Sequence, residues 1–185
     1  MTCRCSRRRL LAGTASLAAA GLAGCLGDEG TDDSPAEPIS LADGQSCDAC
    51  GMVIADHFGP AGQLFYADGR PEERDGPLRY DSLSELVVAR DEHEAQGGEL
   101  RGAFVTDYSS VDYDLAEHDG TPHISTHAEE AAFADATELY YVVESDVHGA
   151  MGPDLLPFSD RGDAERVADD HGGDVREWDE LSTVG

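Results

Sequence analysis

Two thiols and a thioether fall within six residues, in Cys47-Asp48-Ala49-Cys50-Gly51-Met52. The chain holds five cysteines and three methionines. Cys3 and Cys5 lie in an N-terminal leader, Cys25 closes it, and Met1 is the initiator. The folded part therefore keeps Cys47, Cys50, Met52 and Met151, an economy that points to chemistry rather than core filling. Three chemistries suit the set. Cys47 and Cys50 could join as a disulfide in an oxidising compartment. They could supply half of a structural zinc site, completed by His123 and His127 at H-x-x-x-H spacing. Thiolate with thioether could instead take Cu(I), a soft ion. Methionine is the discriminator, because a thioether is a poor zinc ligand and has no role in dithiol exchange. Against all three, Met52 reads equally as a core residue after a turn glycine, so spacing leaves the choice open.

Imidazoles are the remaining candidate donors. His57 lies five residues after Met52 and His148 three before Met151, so either could complete a metal site. His93, His118 and His171 read as helix or loop surface, and Tyr108 beside Asp107 as part of the fold. A dithiol oxidoreductase would place C-x-x-C at the start of a helix. Gly51-Met52-Val53-Ile54-Ala55 carries no helix signal.

Elements that must position these residues come in two similar sets. In the first, "GQLFYADGR" reads as a strand and turn and "PLRY" as a second strand. "DSLSELVVARDEHEAQGG" reads as a helix, opened by Ser82-x-x-Glu85, striped by Leu83, Leu86 and Val87, and stopped by Gly97-Gly98. "ELRGAFVTDY" supplies a strand. In the second set, "ELYYVVES" and "LLPF" are strands, "SDRGDAERVADDHGG" a helix with Ala164, Val167 and Ala168 on one face, and "DVREWDEL" a strand. Both sets read strand, strand, helix, strand, which predicts an α+β fold of two related ββαβ units sharing a core. Between them, "AEHDGTPHISTHAEEAAFADAT" reads as polar and irregular, with helix at its alanine-rich end. Cys47, Cys50 and Met52 precede the first strand, and Met151 sits in a Gly/Pro-rich loop of the second unit, so packing of the units would let the two loops meet.

Charge reports habitat more than chemistry. Twelve basic residues face 39 acidic ones, for a formal net charge of −27, and every base is arginine. Such self-repulsion is relieved in molar salt, where the Debye length falls to roughly 3 Å. The pattern suits a salt-saturated cell of the kind halophilic archaea maintain. The acids are dispersed among periodic apolar residues, as on a folded surface rather than in a disordered tail. No basic patch is available to neutralise phosphates, so nucleic acid is excluded as a partner.

The first residues read as an address. Ser6-Arg7-Arg8 ahead of Leu10-Leu11, a small-residue apolar run, and Leu22-Ala23-Gly24-Cys25 resemble a twin-arginine export signal ending in a lipobox. On this reading residues 1–24 are removed, Cys25 is lipidated, and the domain is anchored on the outer face of the cytoplasmic membrane. Residues 25–45, poor in large apolar side chains, read as a flexible tether. The first unit then covers residues 46–114, a connecting segment 115–137, and the second unit 138–182.

In this order "CDACGMVI", "GPAGQLFY", "AFVTDY", "AMGPDLLPFSDRGDAERVADDHGGDVREWDEL" and the lipobox resemble the NosL family, lipoprotein accessory factors of nitrous oxide reductase. The resemblance runs from Cys47 to Leu181 and is most specific at Cys50-Gly51-Met52, at Met151-Gly152 and from Phe158 through Gly173. It implies two ββαβ units, related to the organomercurial lyase fold, and a Cu(I) chaperone rather than an enzyme. The chaperone would deliver copper for assembly of the reductase's copper-sulfide centre, so its partners would be nitrous oxide reductase or its maturation machinery. Cys50 and Met52 match the family's C-G-M motif and Met151 its M-G motif. Cys47 stands just ahead of that motif. The segment around Tyr113 departs from the pattern, with tyrosine where relatives often have tryptophan, and is longer. A general copper- or zinc-binding lipoprotein and an enzyme of the organomercurial or dithiol type are the alternatives.

Overall fold

The computed structural model describes residues 35–67 and 76–181. The leader, the twin-arginine and lipobox readings and Cys25 lie outside the described residues.

Strand β1 (Gly62–Tyr66) pairs antiparallel with β2 (Leu78–Tyr80) on one side and β3 (Leu100–Thr106) on the other. Helix α1 (Leu83–Ala95) connects β2 to β3. Its cap is Ser82, held extended, whose hydroxyl accepts from the Glu85 amide at 3.4 Å. Leu83, Leu86 and Val87 are its buried stripe. The helix lies close on β1 because position 62 is glycine, where a Cβ would stand 2.3 Å from Leu86 Cδ1.

The second set repeats this arrangement. β7 (Tyr140–Val143) is flanked antiparallel by β10 (Leu156–Phe158) and β11 (Asp174–Glu177), with α2 (Arg161–His171) between the last two. Asp160 caps α2, its carboxylate accepting from the Gly162 and Asp163 amides at 2.8 and 3.2 Å. In both sheets the first strand is central and the helix leads to the third, so the two ββαβ units share one topology. β7 is buried on both faces, with alternate side chains going opposite ways. Tyr141 and Val143 join the main core with Leu64, Leu86 and Val105, while Val142 packs with Leu156, Ala164 and Val167 under α2.

Two departures from the sequence reading change the picture. The stretch read as irregular and helical carries three short strands and no α-helix. β4 (Leu115–His118) and β5 (Thr121–Ile124) form a hairpin, and β6 (Phe133–Asp135) adds to the edge of β3. Its alanine-rich end is too short of leucines and valines to make a helical stripe, and folds as two single 3-10 turns, Glu130–Ala132 and Ala136–Glu138. The segment read as a tether is docked over Ile39 to Leu41. Gln63 reads the Ile39 backbone at both its amide and its carbonyl, and Leu41 is fully buried in the core. Buried Leu41, the Gln63 side chain and the Leu41 amide donating to the Ala128 carbonyl at 2.7 Å together bring that polar-looking stretch into the domain.

Finally, β8 (His148–Gly149) and β9 (Gly152–Pro153) make a small hairpin between β7 and β10, and β5 runs parallel beside β8.

Candidate metal centre

The loop carrying the two thiols is closed at both ends by its own backbone. Ser46 bridges Val53, the Cys47 amide donates to the Met52 carbonyl at 2.8 Å, and the Gly51 amide donates to the Cys47 carbonyl at 2.9 Å. Closure requires a left-handed residue at position 51, where φ is +78°. That is why a glycine separates Cys50 from Met52. The loop is pinned to β2 by reciprocal bonds, Asp48 amide to Arg79 carbonyl and Arg79 amide to Asp48 carboxylate, each 2.7 Å.

Pinning to β2 sets the thiols over the strand-to-helix junction, where Asp81 precedes the cap of α1. One donor atom each from Cys47, Cys50 and Asp81 lie within 4.8 Å of one another, a cluster that could hold a metal ion. Both cysteines are free thiols. The Cys50 thiol donates to Asp81, 3.4 Å from Oδ2 and 3.7 Å from Oδ1. Burial is graded: Cys47 is 3% and Asp81 2% exposed, whereas Cys50 lies on the surface. Burial pushes the Cys47 thiol up to about 12, helped by the Asp81 carboxylate, while the backbone amides of Cys50, Asp81 and Ala49 oppose it. An amide cradle is thus aimed at that sulfur, ready for a thiolate once a cation compensates the cost of burial.

Met52 is half-buried at the exit of the loop. Met151 is 56% exposed at the tip of the two-residue β8–β9 turn, one of few large apolar side chains so exposed among the described residues. Two contacts tie that hairpin to the first unit. Gly149 meets Gly59 backbone to backbone, so close that a Cβ on Gly59 would stand 2.6 Å from the Gly149 Cα. Farther along, buried Asp154 accepts from the Leu83 amide, the Ser84 amide and the Ser84 hydroxyl at 3.2, 2.9 and 3.0 Å. Gly59 follows Met52 by seven residues and Leu83 follows Asp81 by two. The methionine hairpin and the residue that follows it are therefore moored to the first unit at Gly59 and at the first turn of α1.

The histidines go elsewhere. No histidine joins the cluster among the described residues. His127, the proposed zinc partner of His123, bonds the Ser125 hydroxyl at 3.1 Å and faces the Tyr108 ring. His57 offers its backbone carbonyl to the Thr126 hydroxyl. His148 and His123 pair across β5 and β8, ring against ring. His118, read as loop or helix surface, stands on strand β4. Tyr108 is buried and gives its hydroxyl to the Ser125 carbonyl, a fold residue as expected. Asp81 was not legible as a donor, because its place depends on the pairing of the thiol loop with β2. The sequence signal was its position between an aromatic strand end and a helix cap.

A mixed α+β domain that gathers two free thiols and a carboxylate at one point has the donor set of a candidate metal-binding protein. The NosL family model matches residues 38–184, and the chain belongs to that family. It is 32% identical over 175 residues to the copper-binding lipoprotein NosL of Stutzerimonas stutzeri, covering 94% of this chain and 81% of the relative. The crystal structure of the copper chaperone NosL from Shewanella denitrificans superposes with a TM-score of 0.62 at 21% identity, over 82% of this chain and all of that one. The solution structure of apo-NosL from Achromobacter cycloclastes matches more loosely, with a TM-score of 0.37 at 21% identity, over 66% of this chain and 85% of that one. The α+β expectation is met.

Proposed function

We propose that this domain carries Cu(I) on the outer face of the cytoplasmic membrane, anchored through lipid on Cys25. It hands the ion on for assembly of the copper-sulfide centre of nitrous oxide reductase. The observation that supports this most is the graded cluster of buried Cys47, surface Cys50 and buried Asp81. The relative from Stutzerimonas stutzeri is named copper-binding and a lipoprotein, which supports both the metal and the anchor.

In this reading the ligands are Cys47, Cys50, Met52 and Met151. Soft sulfur holds a soft ion without demanding a fixed high coordination number. Cys47 is the anchor, since its sulfur is inaccessible to a client. Cys50 and Met151 are exposed, so a ligand from the client enters at their side before they leave. Thioethers need no deprotonation and keep their hold as pH falls, whereas a thiol must lose its proton to bind. Asp81 accepts the hydrogen bond of the Cys50 thiol and so holds that side chain at the mouth of the site. His57 and His148 fall outside the Cu(I) set. The site binds and releases, and no bond of a substrate is broken there.

The test is a competition titration of the soluble domain with Cu(I) and Zn(II) under reducing conditions in molar KCl, followed by transfer to copper-free nitrous oxide reductase. Chloride ligates Cu(I), so only a site with several sulfurs outcompetes it. One equivalent of Cu(I), held more tightly than Zn(II) and released to the reductase, is the expected result. Equal or greater preference for Zn(II) removes the copper reading, and failure of transfer alone removes the named client.

A further inference from the structure

We propose a second metal site, built of imidazoles and independent of the sulfur cluster, that binds one borderline divalent cation, Cu(II) by preference. Three histidines share one face of the β4–β5–β8 sheet. His123 and His148 are direct register partners across β5 and β8. Ala116 pairs with His123 and His118 with Thr121, which makes His118 the diagonal same-face neighbour of His123. Ring centres are 5.4 Å apart for His118–His123 and 5.4 Å for His123–His148. Two imidazoles bound at about 2.0–2.1 Å to one tetrahedral ion place their ring centres roughly 5 Å apart. Both pairs stand near that spacing with His123 at the middle.

Three further features prepare the row for an ion. His123 Nδ1 lies 3.1 Å from the Thr121 carbonyl, which can only accept, so Nδ1 carries the hydrogen and Nε2 keeps its lone pair. Phe58 packs on His118 and His123 at 4.7 and 5.3 Å, an apolar cover that limits rotation of both rings. Its loop is fastened by the Gly59 amide donating to the Ile124 carbonyl at 2.8 Å. His148, the half-buried end of the row, also borders an open groove of about 570 Å³ walled by Glu117, Asp146, Asp170 and His171, which attracts cations to that end.

Donor type selects the ion. Neutral imidazole suits Cu(II), Zn(II) and Ni(II), and the Irving–Williams order puts Cu(II) first. Cu(I) goes to the sulfurs, which offer softer ligands.

The experiment uses the Cys47→Ser/Cys50→Ser double variant of the domain, in which thiol chemistry with Cu(II) is absent, titrated with Cu(II) in molar KCl and read by electron paramagnetic resonance. One Cu(II) with nitrogen hyperfine coupling is expected. His123→Gln weakens it at least tenfold, while His93→Gln, on α1, changes nothing. Absence of nitrogen coupling, or equal binding by His123→Gln, overturns the site. Should the double variant fail to fold, long-range 1H–15N spectra of the unaltered domain during Zn(II) titration decide instead. Joint movement of the His118, His123 and His148 ring nitrogens supports the site, and unmoved rings overturn it.

Discussion

Cys50 and Asp81 are 31 residues apart in the chain, yet the Cys50 sulfur lies 3.4 Å from an Asp81 carboxylate oxygen. An exposed thiol thus rests on a buried acid at the foot of α1, and the acid directly follows β2, the strand that the thiol loop is laced to. This contact makes the C-x-x-C loop part of the first ββαβ unit rather than a free appendage. It also mixes a hard donor with soft ones, which sets the first prediction.

A carboxylate suits Zn(II) better than Cu(I). Asp81→Asn removes it while keeping the shape. Zn(II) affinity is expected to fall at least tenfold and Cu(I) affinity to stay within about threefold, both measured by chelator competition at pH 7. A larger loss for Cu(I) than for Zn(II) would make Asp81 a copper ligand.

Cys47 sets a pH dependence. Its folded value, pushed up to about 12 from 9.0, means the apo protein holds that proton throughout the neutral range. Metal entry displaces it, so apparent Cu(I) affinity rises as pH rises, by about tenfold per pH unit for each such proton. Measured between pH 6 and 8, Cys47→Ser lowers the slope of log affinity against pH by one. An unchanged slope would show that the buried thiol keeps its proton.

Met151 separates binding from folding. Its side chain is exposed on a turn, so Met151→Leu is expected to leave stability within about 0.5 kcal/mol by denaturant titration. Cu(I) affinity in molar KCl should nonetheless fall by roughly tenfold, since one thioether is lost to chloride competition. Unaltered affinity removes Met151 from the ligand set.

The mooring of the methionine hairpin is tested at Gly59. Its φ is +100° and an added methyl would strike the Gly149 backbone, so Gly59→Ala should destabilise by about 2 kcal/mol or more. Because the β8–β9 turn is pushed away, the surviving folded protein should show a Cu(I) affinity close to that of Met151→Leu. Full affinity in a destabilised variant would mean the hairpin position does not matter to the metal.

Much of the fold was legible for local reasons. Ser82 and Asp160 announce their helices, glycine pairs end them, and the apolar stripes fall at helical spacing. The β4–β5 hairpin was written in the chain too. Asp119 and Gly120 both take positive φ, +53° and +84°, the Asp-Gly turn that favours a two-residue hairpin. It was masked because the flanking strands carry histidines and acids where β-branched residues would mark a strand. Leu41 and Gln63 were opaque for a different reason, since one buried leucine in a polar stretch leaves no periodicity. Of the thiol–carboxylate cluster, Cys47 and Cys50 could be named from the sequence. Asp81 and the row of imidazoles could not, because each exists only through strand pairing across distant segments.

The most direct measurement is X-ray absorption at the copper edge of the Cu(I)-loaded domain in molar KCl, compared with the Cys50→Ser and Met151→Leu variants. A shell of sulfur scatterers whose number falls in each variant is the predicted result. A shell dominated by nitrogen or oxygen, or one that neither substitution alters, would contradict the account.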